Sequence, residues 1–566
     1  MRQQSLPCGK NLAKPRARWT RRAAQGLGGL LSLGAVLCAG TASSATSPRQ
    51  VSDAIIELDV ERGKELLKDA EKRGDLAFER ARLALYLGDC ETAQAILSSP
   101  QFADVEEARH FREVADGCTG TTVGGLVIED KERGVWMRLQ DAEDKALAPL
   151  IAEVADKARG RIEQDLGVTM PRPLRIDLVR DLFSLAAVTG LPLEAAETTG
   201  TVAVARWGRV TMLTPRAASL GYPWEDTLAH EITHLALSRA TRDRAPLWLQ
   251  EGVAKREETR WREKQPFDDA DYDRVARAAQ VQGQSVGIGG LGSSIAMLPT
   301  PEAASIAFAE VTSFVGFWLR ENGTPAFHML LRDLKGVGER GPNAALASVS
   351  GVSLSEWNSR WQTWLEGHVA APEPPPKLTP LEVRKQHQRA EDMIRNARLG
   401  DLLFERGHME AAESRLTKMF DASPDDASLR ARLARAALAQ GKTERAKELV
   451  SKLEDVDAAN AHWWALRARF GLGTGAERPN TPEARKAAYR LGVALDPLSE
   501  LVACGGFWKS RGKPDEQHSA SNSLPNDAKD RDSDPPTPVG PAAVTDGELA
   551  EGYRSLCEAA RRFGRD

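Results

Sequence analysis

Apolar positions recur at three- and four-residue steps through residues 52 to 118. They do so again through "DAEDKALAPLIAEVADKARGRIEQDLG", from Asp141, so both stretches predict amphipathic helices. The period changes to two in "PLRIDLV", Pro173 to Val179, which predicts a strand. "TVAVARWGRVTML", Thr201 to Leu213, also alternates and is broken at Trp207-Gly208, which predicts two short strands around a hairpin turn. A helical apolar pattern resumes in "LAHEITHLAL", residues 228 to 237. The expected fold is mainly α with a small β-sheet.

Three helical segments share one spacing. "LGDCETAQAIL" places Gly88, Glu91, Ala93 and Leu97 at set offsets; "RGHMEAAESRL" repeats them as Gly407, Glu410, Ala412 and Leu416, and "QGKTERAKELV" as Gly441, Glu444, Ala446 and Val450. The last two copies stand 34 residues apart. Glycine permits a tight turn between paired helices. Alanine lets them approach, and the aliphatic residue fills the groove between units. The segment 383–509 resembles tetratricopeptide repeats, whose period is 34 residues. Residues 46–119 look like a diverged unit of the same kind, or a generic set of helical hairpins. Either reading implies an α-solenoid with a scaffold or peptide-docking role, hence a protein partner bound through the repeats.

At 566 residues the chain exceeds one hydrophobic core, so two to four domains are expected. A net charge of -4, with no long basic block after the first 45 residues, offers no electrostatic basis for binding nucleic acid. Those 45 residues run from basic to apolar (Leu27 to Ala39) to small, ending in Ser43-Ser44-Ala45. That order predicts a secretory signal peptide, 1–45, and an exported chain. The apolar run is short for a full span, so no membrane span is expected in the mature chain. Cys90, Cys118, Cys504 and Cys557 remain after cleavage. An even count in an exported protein points to disulfides, and pairing 90 with 118 and 504 with 557 is the simplest of three connectivities. "APEPPPKLTP" marks a proline-rich linker, 371–382. Residues 510–545 are rich in Pro, Asp, Ser and Asn and predict disorder, followed by a C-terminal helix, 546–566.

The chemistry concentrates in "HEITH". His230 and His234 are four apart and share a helix face, so both imidazoles can reach one cation. Glu231 lies about a hundred degrees round the helix, beside the metal rather than on it, where it can take a proton from a water at the metal and pass it to a leaving amine. An ordinary buried helix is the competing reading, but two stacked histidines and a glutamate in apolar surroundings are costly without a cation or several partners. A third ligand is supplied by Glu251 in "PLWLQEGVAKREE", on a second helix after Pro246. Gly252 and Ala254 are expected to let that helix lie close to the first.

Residues 224 to 237 and 246 to 254 resemble the gluzincin metallopeptidases, closest to the bacterial peptidase MA-like branch, which is frequently fused to tetratricopeptide repeats. The resemblance covers about 120–370. It implies a zincin-like, thermolysin-like α+β domain there, flanked by the solenoid segments. It also implies one Zn2+ per chain on His230, His234 and Glu251, with Glu231 as catalytic general base. It further implies that the strand at Val210 to Leu213 pairs with extended substrate, and that "IAFAEVTSFVGFWLRENG" belongs to the helices after the site. One departure stands out: the family's tyrosine, an oxyanion donor, falls here at Phe308. Tyr222, Tyr272 and His328 are candidate substitutes. Arg206, Arg209 and Arg216 are candidates for substrate binding, and Asp226 and Glu258 for orienting an imidazole. The glycine-rich "GIGGLGSS", Gly287 to Ser294, lacks a P-loop lysine and reads as a flexible loop. Together these features predict an exported zinc peptidase, periplasmic or extracellular, acting on protein or peptide. The alternative is a low-activity or inactive zincin-like domain within a repeat-type binding scaffold of the cell envelope.

Overall fold

The computed structural model describes residues 46–68, 73–218, 221–265, 268, 271–292, 294–337, 340–371, 380–451, 460–472, 482–504 and 547–563. The expectations for 1–45 and 510–545, and most of the linker, lie outside them. The protein is mainly helical with one small mixed sheet. The strands are β1 (Leu126–Asp130), β2 (Val135–Leu139), β3 (Leu174–Val179), β4 (Ala203–Arg206) and β5 (Arg209–Leu213), in the spatial order β1-β2-β3-β5-β4. The two outer pairs are antiparallel and the two inner pairs parallel. β3, β4 and β5 occupy the stretches where the sequence alternates. Trp207 and Gly208 both take positive φ, 55° and 70°, as a two-residue hairpin of the right twist requires.

One face of the sheet is covered by α1 (Ala148–Leu166) and α2 (Trp224–Thr241), which also pack on each other. The other face carries charge. Arg138 and Arg209 both bind Asp177, at 2.9 and 2.8 Å, beneath the N-terminal helices, where Arg138 also donates to the Gly88 carbonyl at 2.7 Å. Arg209 and Asp177 are buried. Burying them is tolerable because both guanidiniums pair with the shared carboxylate, and the carbonyls of Gly88 and Leu85 take further donors. Arg209 therefore belongs to the core and not to a substrate site. Arg216 is likewise committed, to Asp141, Glu143 and Asp144, and Arg206 stacks on Trp207 with its guanidinium 4.5 Å from the ring centroid.

Beyond α2 come α3 (Leu247–Glu257) and the long α4 (Pro301–Gly336). α4 has the length and composition of a membrane-crossing helix, yet 56% of its most apolar window is buried in the protein. It breaks at Gly323, with φ 77°, two residues before Pro325. Gly287 N–H and the Ser285 hydroxyl donate to the buried carboxylate of Glu310 on α4, at 2.8 and 2.5 Å, and Ile288 and Leu291 are buried. The glycine-rich segment is thus pinned to the core.

The repeated spacing has a repeated geometry. Gly88, Gly407 and Gly441 all have φ between 75° and 80°. In each unit the residue after the glycine donates its N–H to the carbonyl five back: Asp89 to Ala84, His408 to Leu403 and Lys442 to Ala437, at 2.9, 2.8 and 2.9 Å. Ala93, Ala412 and Ala446 are buried, as are Leu97, Leu416 and Val450. C-terminal helices from Pro380–Glu405 to Pro482–Val493 each pack on their sequence neighbours. Cys90 pairs with Cys118, and Cys504 with Cys557.

The C-terminal helices dock on the start of α2. Tyr222 N–H donates to the Leu495 carbonyl at 2.9 Å, and the Trp224 indole to the Val493 carbonyl at 3.0 Å. Gly221 is required at this contact: its φ is +71°, and a Cβ there would lie 2.3 Å from the Leu495 oxygen.

Candidate metal centre

Two helices carry the centre. α2 presents His230 and His234 one turn apart, with ring centroids 4.9 Å from each other. α3, opened by Pro246 as its N-cap, brings Glu251 to them. Glu251 Oε2 lies 3.6 Å from His230 Nε2 and 3.6 Å from His234 Nε2, and one ligand atom from each of the three residues lies within 4.8 Å of the others. Donors sharing a tetrahedral ion at about 2.1 Å each stand roughly 3.4 Å apart, so this donor set fits zinc.

The opposite ring nitrogens are held. His230 Nδ1 lies 3.2 Å from Glu258 Oε2, and His234 Nδ1 lies 3.2 Å from Gln250 Oε1. Both acceptors fix the proton on Nδ1 and leave Nε2 facing Glu251. Lys255 donates to the other Glu258 oxygen at 2.6 Å and fixes that carboxylate in turn. Asp226, the second candidate for this role, instead receives Arg262 at 2.6 Å and the Trp261 indole at 3.2 Å.

The electrostatics favour positive charge. Burial disfavours an imidazolium at His230, but its hydrogen bonds to the Glu251 and Glu258 carboxylates outweigh it and push the group up to about 10. Burial raises the Glu251 carboxyl, yet the imidazoles of His234 and His230 bring it below its ordinary value; Glu258 is lowered in the same way by His230 and Lys255. Three carboxylates, Glu251, Glu258 and Glu231, thus favour positive charge at His230.

Glu231 is buried beside the triad and accepts the Ala205 N–H of β4 at 2.5 Å. This contact corrects the expectation for Val210 to Leu213. β5 lies between β3 and β4 with both edges paired, so it has no free backbone for a substrate; the open edge next to α2 is β4. The placement of Gly252 is corrected too: its missing Cβ faces the Val311 backbone of α4, not α2.

Phe308 of α4 lies against His230, ring centroids 6.4 Å apart. The Tyr222 hydroxyl is bonded to the Leu213 carbonyl and His328 Nε2 to the Asp165 carbonyl. Tyr272 lines a cavity together with Lys255 and Glu258. Three partners escaped sequence reasoning: Gln250, Lys255 and the Ala205 amide. The first two sit in "LQEGVAK" beside the third ligand, where a helical register drawn from Glu251 would have flagged them.

Residues 403–470 match the tetratricopeptide repeat family. No curated protein sequence matches the chain.

Proposed function

We propose that this chain is an exported zinc-dependent peptidase whose metal is held by His230, His234 and Glu251. The observation that carries the reading is the convergence of three ligand atoms from two helices, with both histidines locked from behind. A divalent cation there supplies Lewis acidity, polarising a scissile carbonyl and acidifying water. The chain's own residues supply the rest. Glu231 takes the proton at its carboxylate and returns it to the leaving amine. The outward-facing backbone of β4 offers the free edge along which an extended peptide can add as a strand, its carbonyl replacing Glu231 on the Ala205 N–H. Gln250 and Glu258 keep the imidazoles aimed. The test is metal analysis of the purified mature chain together with casein hydrolysis by wild type and Glu231→Gln. Stoichiometric zinc in both proteins with turnover only in wild type is the expected result; equal turnover removes Glu231 from the mechanism.

A second reading has its own observation. Phe308 stands beside His230 with no donor to offer an oxyanion, and loss of one such donor typically costs roughly a hundred- to a thousandfold in rate. The match to tetratricopeptide repeats at 403–470 supports a protein-interaction role. On this reading the zincin-like domain turns over slowly and the repeats bind a partner. Phe308→Tyr separates the two: a gain in hydrolysis favours the peptidase, whereas no cleavage by either protein favours the scaffold.

A further inference from the structure

We propose that the cavity between α1, the start of α2, the end of α3 and the C-terminal segment 490–495 is a binding site for an organic cation, an ammonium or guanidinium group carried on an aliphatic chain. The cavity measures about 890 Å³, a size typical of small-molecule sites. Its apolar lining comes from Leu150 and Val154 on α1 and from Leu491, Ala494 and Leu495, enough for an alkyl stem. Its polar lining carries six carboxyl groups against five cations, of which Arg256 is committed to the buried Glu257. Lys157 is paired with Glu153 at 2.5 Å, Lys255 with Glu258 at 2.6 Å, and Arg262 with both Asp226 and Asp268 at 2.6 and 2.8 Å. Glu225 lines the same space and forms no hydrogen bond or ion pair among the described residues. Arg490, also at the cavity, is exposed.

Glu225 is partly exposed, and a cation seated against its unpaired carboxyl supplies the counter-charge it lacks. Burial, and then the neighbouring Asp226, push the Glu225 carboxyl up to about 8, so near neutral pH a cation binds there by displacing the carboxyl proton. The Tyr272 ring adds a surface suited to a cation. An uncharged ligand would gain from the apolar lining alone and leave Glu225 as it is, so charge is the discriminating feature.

The experiment is calorimetric titration of the as-purified full chain with 1,5-diaminopentane, and with 1-pentanol as the uncharged control of equal length. Saturable binding of one diamine per chain is expected, with pentanol at least about tenfold weaker. Glu225→Gln keeps the shape and should weaken the diamine at least about tenfold. Ala494→Met narrows the cavity without touching a charge and should weaken binding. Glu251→Gln should bind the diamine as wild type does, which excludes coordination to a metal at the neighbouring centre as the source of the signal and keeps this result independent of the peptidase reading. No saturable binding, equal binding of pentanol, or unchanged affinity in Glu225→Gln overturns the proposal; Glu225→Gln decides alone if Ala494→Met does not fold.

Discussion

Gly252→Ala tests the packing that places the third ligand. Gly252 follows Glu251 directly on α3 and meets α4. A Cβ built there lies 2.5 Å from the Val311 carbonyl oxygen and 2.5 Å from Val315 Cγ2. Ordinary contact begins at roughly 3.4 Å, so the two helices must part by about 1 Å. Helix propensity alone favours alanine by about 1 kcal/mol, while overpacking costs about 1–3 kcal/mol. The net loss of stability should therefore be modest, about 0–2 kcal/mol. The effect on the metal should be larger. Ligand distances tolerate only about 0.2 Å, and a carboxylate carried away by about 1 Å no longer coordinates, so zinc affinity should fall at least about 100-fold. Urea unfolding measures the first quantity and competition with a chromophoric chelator the second. Gly160→Ala on α1 is the control: its added Cβ meets nothing within 4 Å, and it should stabilise by up to about 1 kcal/mol with zinc affinity unchanged. If Gly252→Ala gains stability as Gly160→Ala does and binds zinc like wild type, the close approach of α3 to α4 is wrong.

Three further outcomes are expected. Glu258→Gln should weaken zinc about 10–100-fold, whereas Asp226→Asn, whose carboxylate faces Arg262, should leave zinc affinity near wild type; chelator competition separates them. In chelator-treated protein, His230 sits at about 10 against an ordinary 6.5. Its stabilising contribution should thus be complete below pH 6.5 and vanish as pH rises through about 10, while the lowered carboxyls of Glu251 and Glu258 stabilise only above their own depressed range; urea midpoints at pH 5.5, 7.5 and 9.5 check this, and the alkaline decline should be missing from His230→Asn. Removing Cys504–Cys557, which links residues 53 apart, should cost about 4 kcal/mol in the chain-entropy treatment and free the helix Gly547–Phe563, read by urea unfolding and limited proteolysis.

Much of the site was readable because its spacing is set by a single helix. Four residues is one turn, so His230 and His234 had to share a face once the helix was granted. Glu251 followed from its own helix and a proline start. Strand identity was equally local at β3 and in the β4–β5 hairpin, where alternation and Trp207-Gly208 carry the signal. The β1–β2 hairpin was overlooked although Leu126-Val127-Ile128 and Gly134 hint at it, because "IEDKERG" masks the alternation with charge. What stayed hidden was non-local. Nothing near Arg209 says that it will meet Asp177 in the core, and strand order, which leaves β4 and not β5 at the open edge, depends on crossovers that no short window contains. Gly252 signalled a close approach, but a glycine names no partner.

The hydrogen bonds from Tyr222 and Trp224 to the 493–495 backbone carry one more consequence. They make the carboxy-terminal helices part of the foundation on which the histidine-bearing helix rests. Cutting the chain at the proline-rich stretch to isolate the metal centre would strip a brace from the start of the helix that carries His230, and a fragment ending there should be a poorer metal binder than the intact polypeptide. The repeats here are less a detachable handle than a keystone.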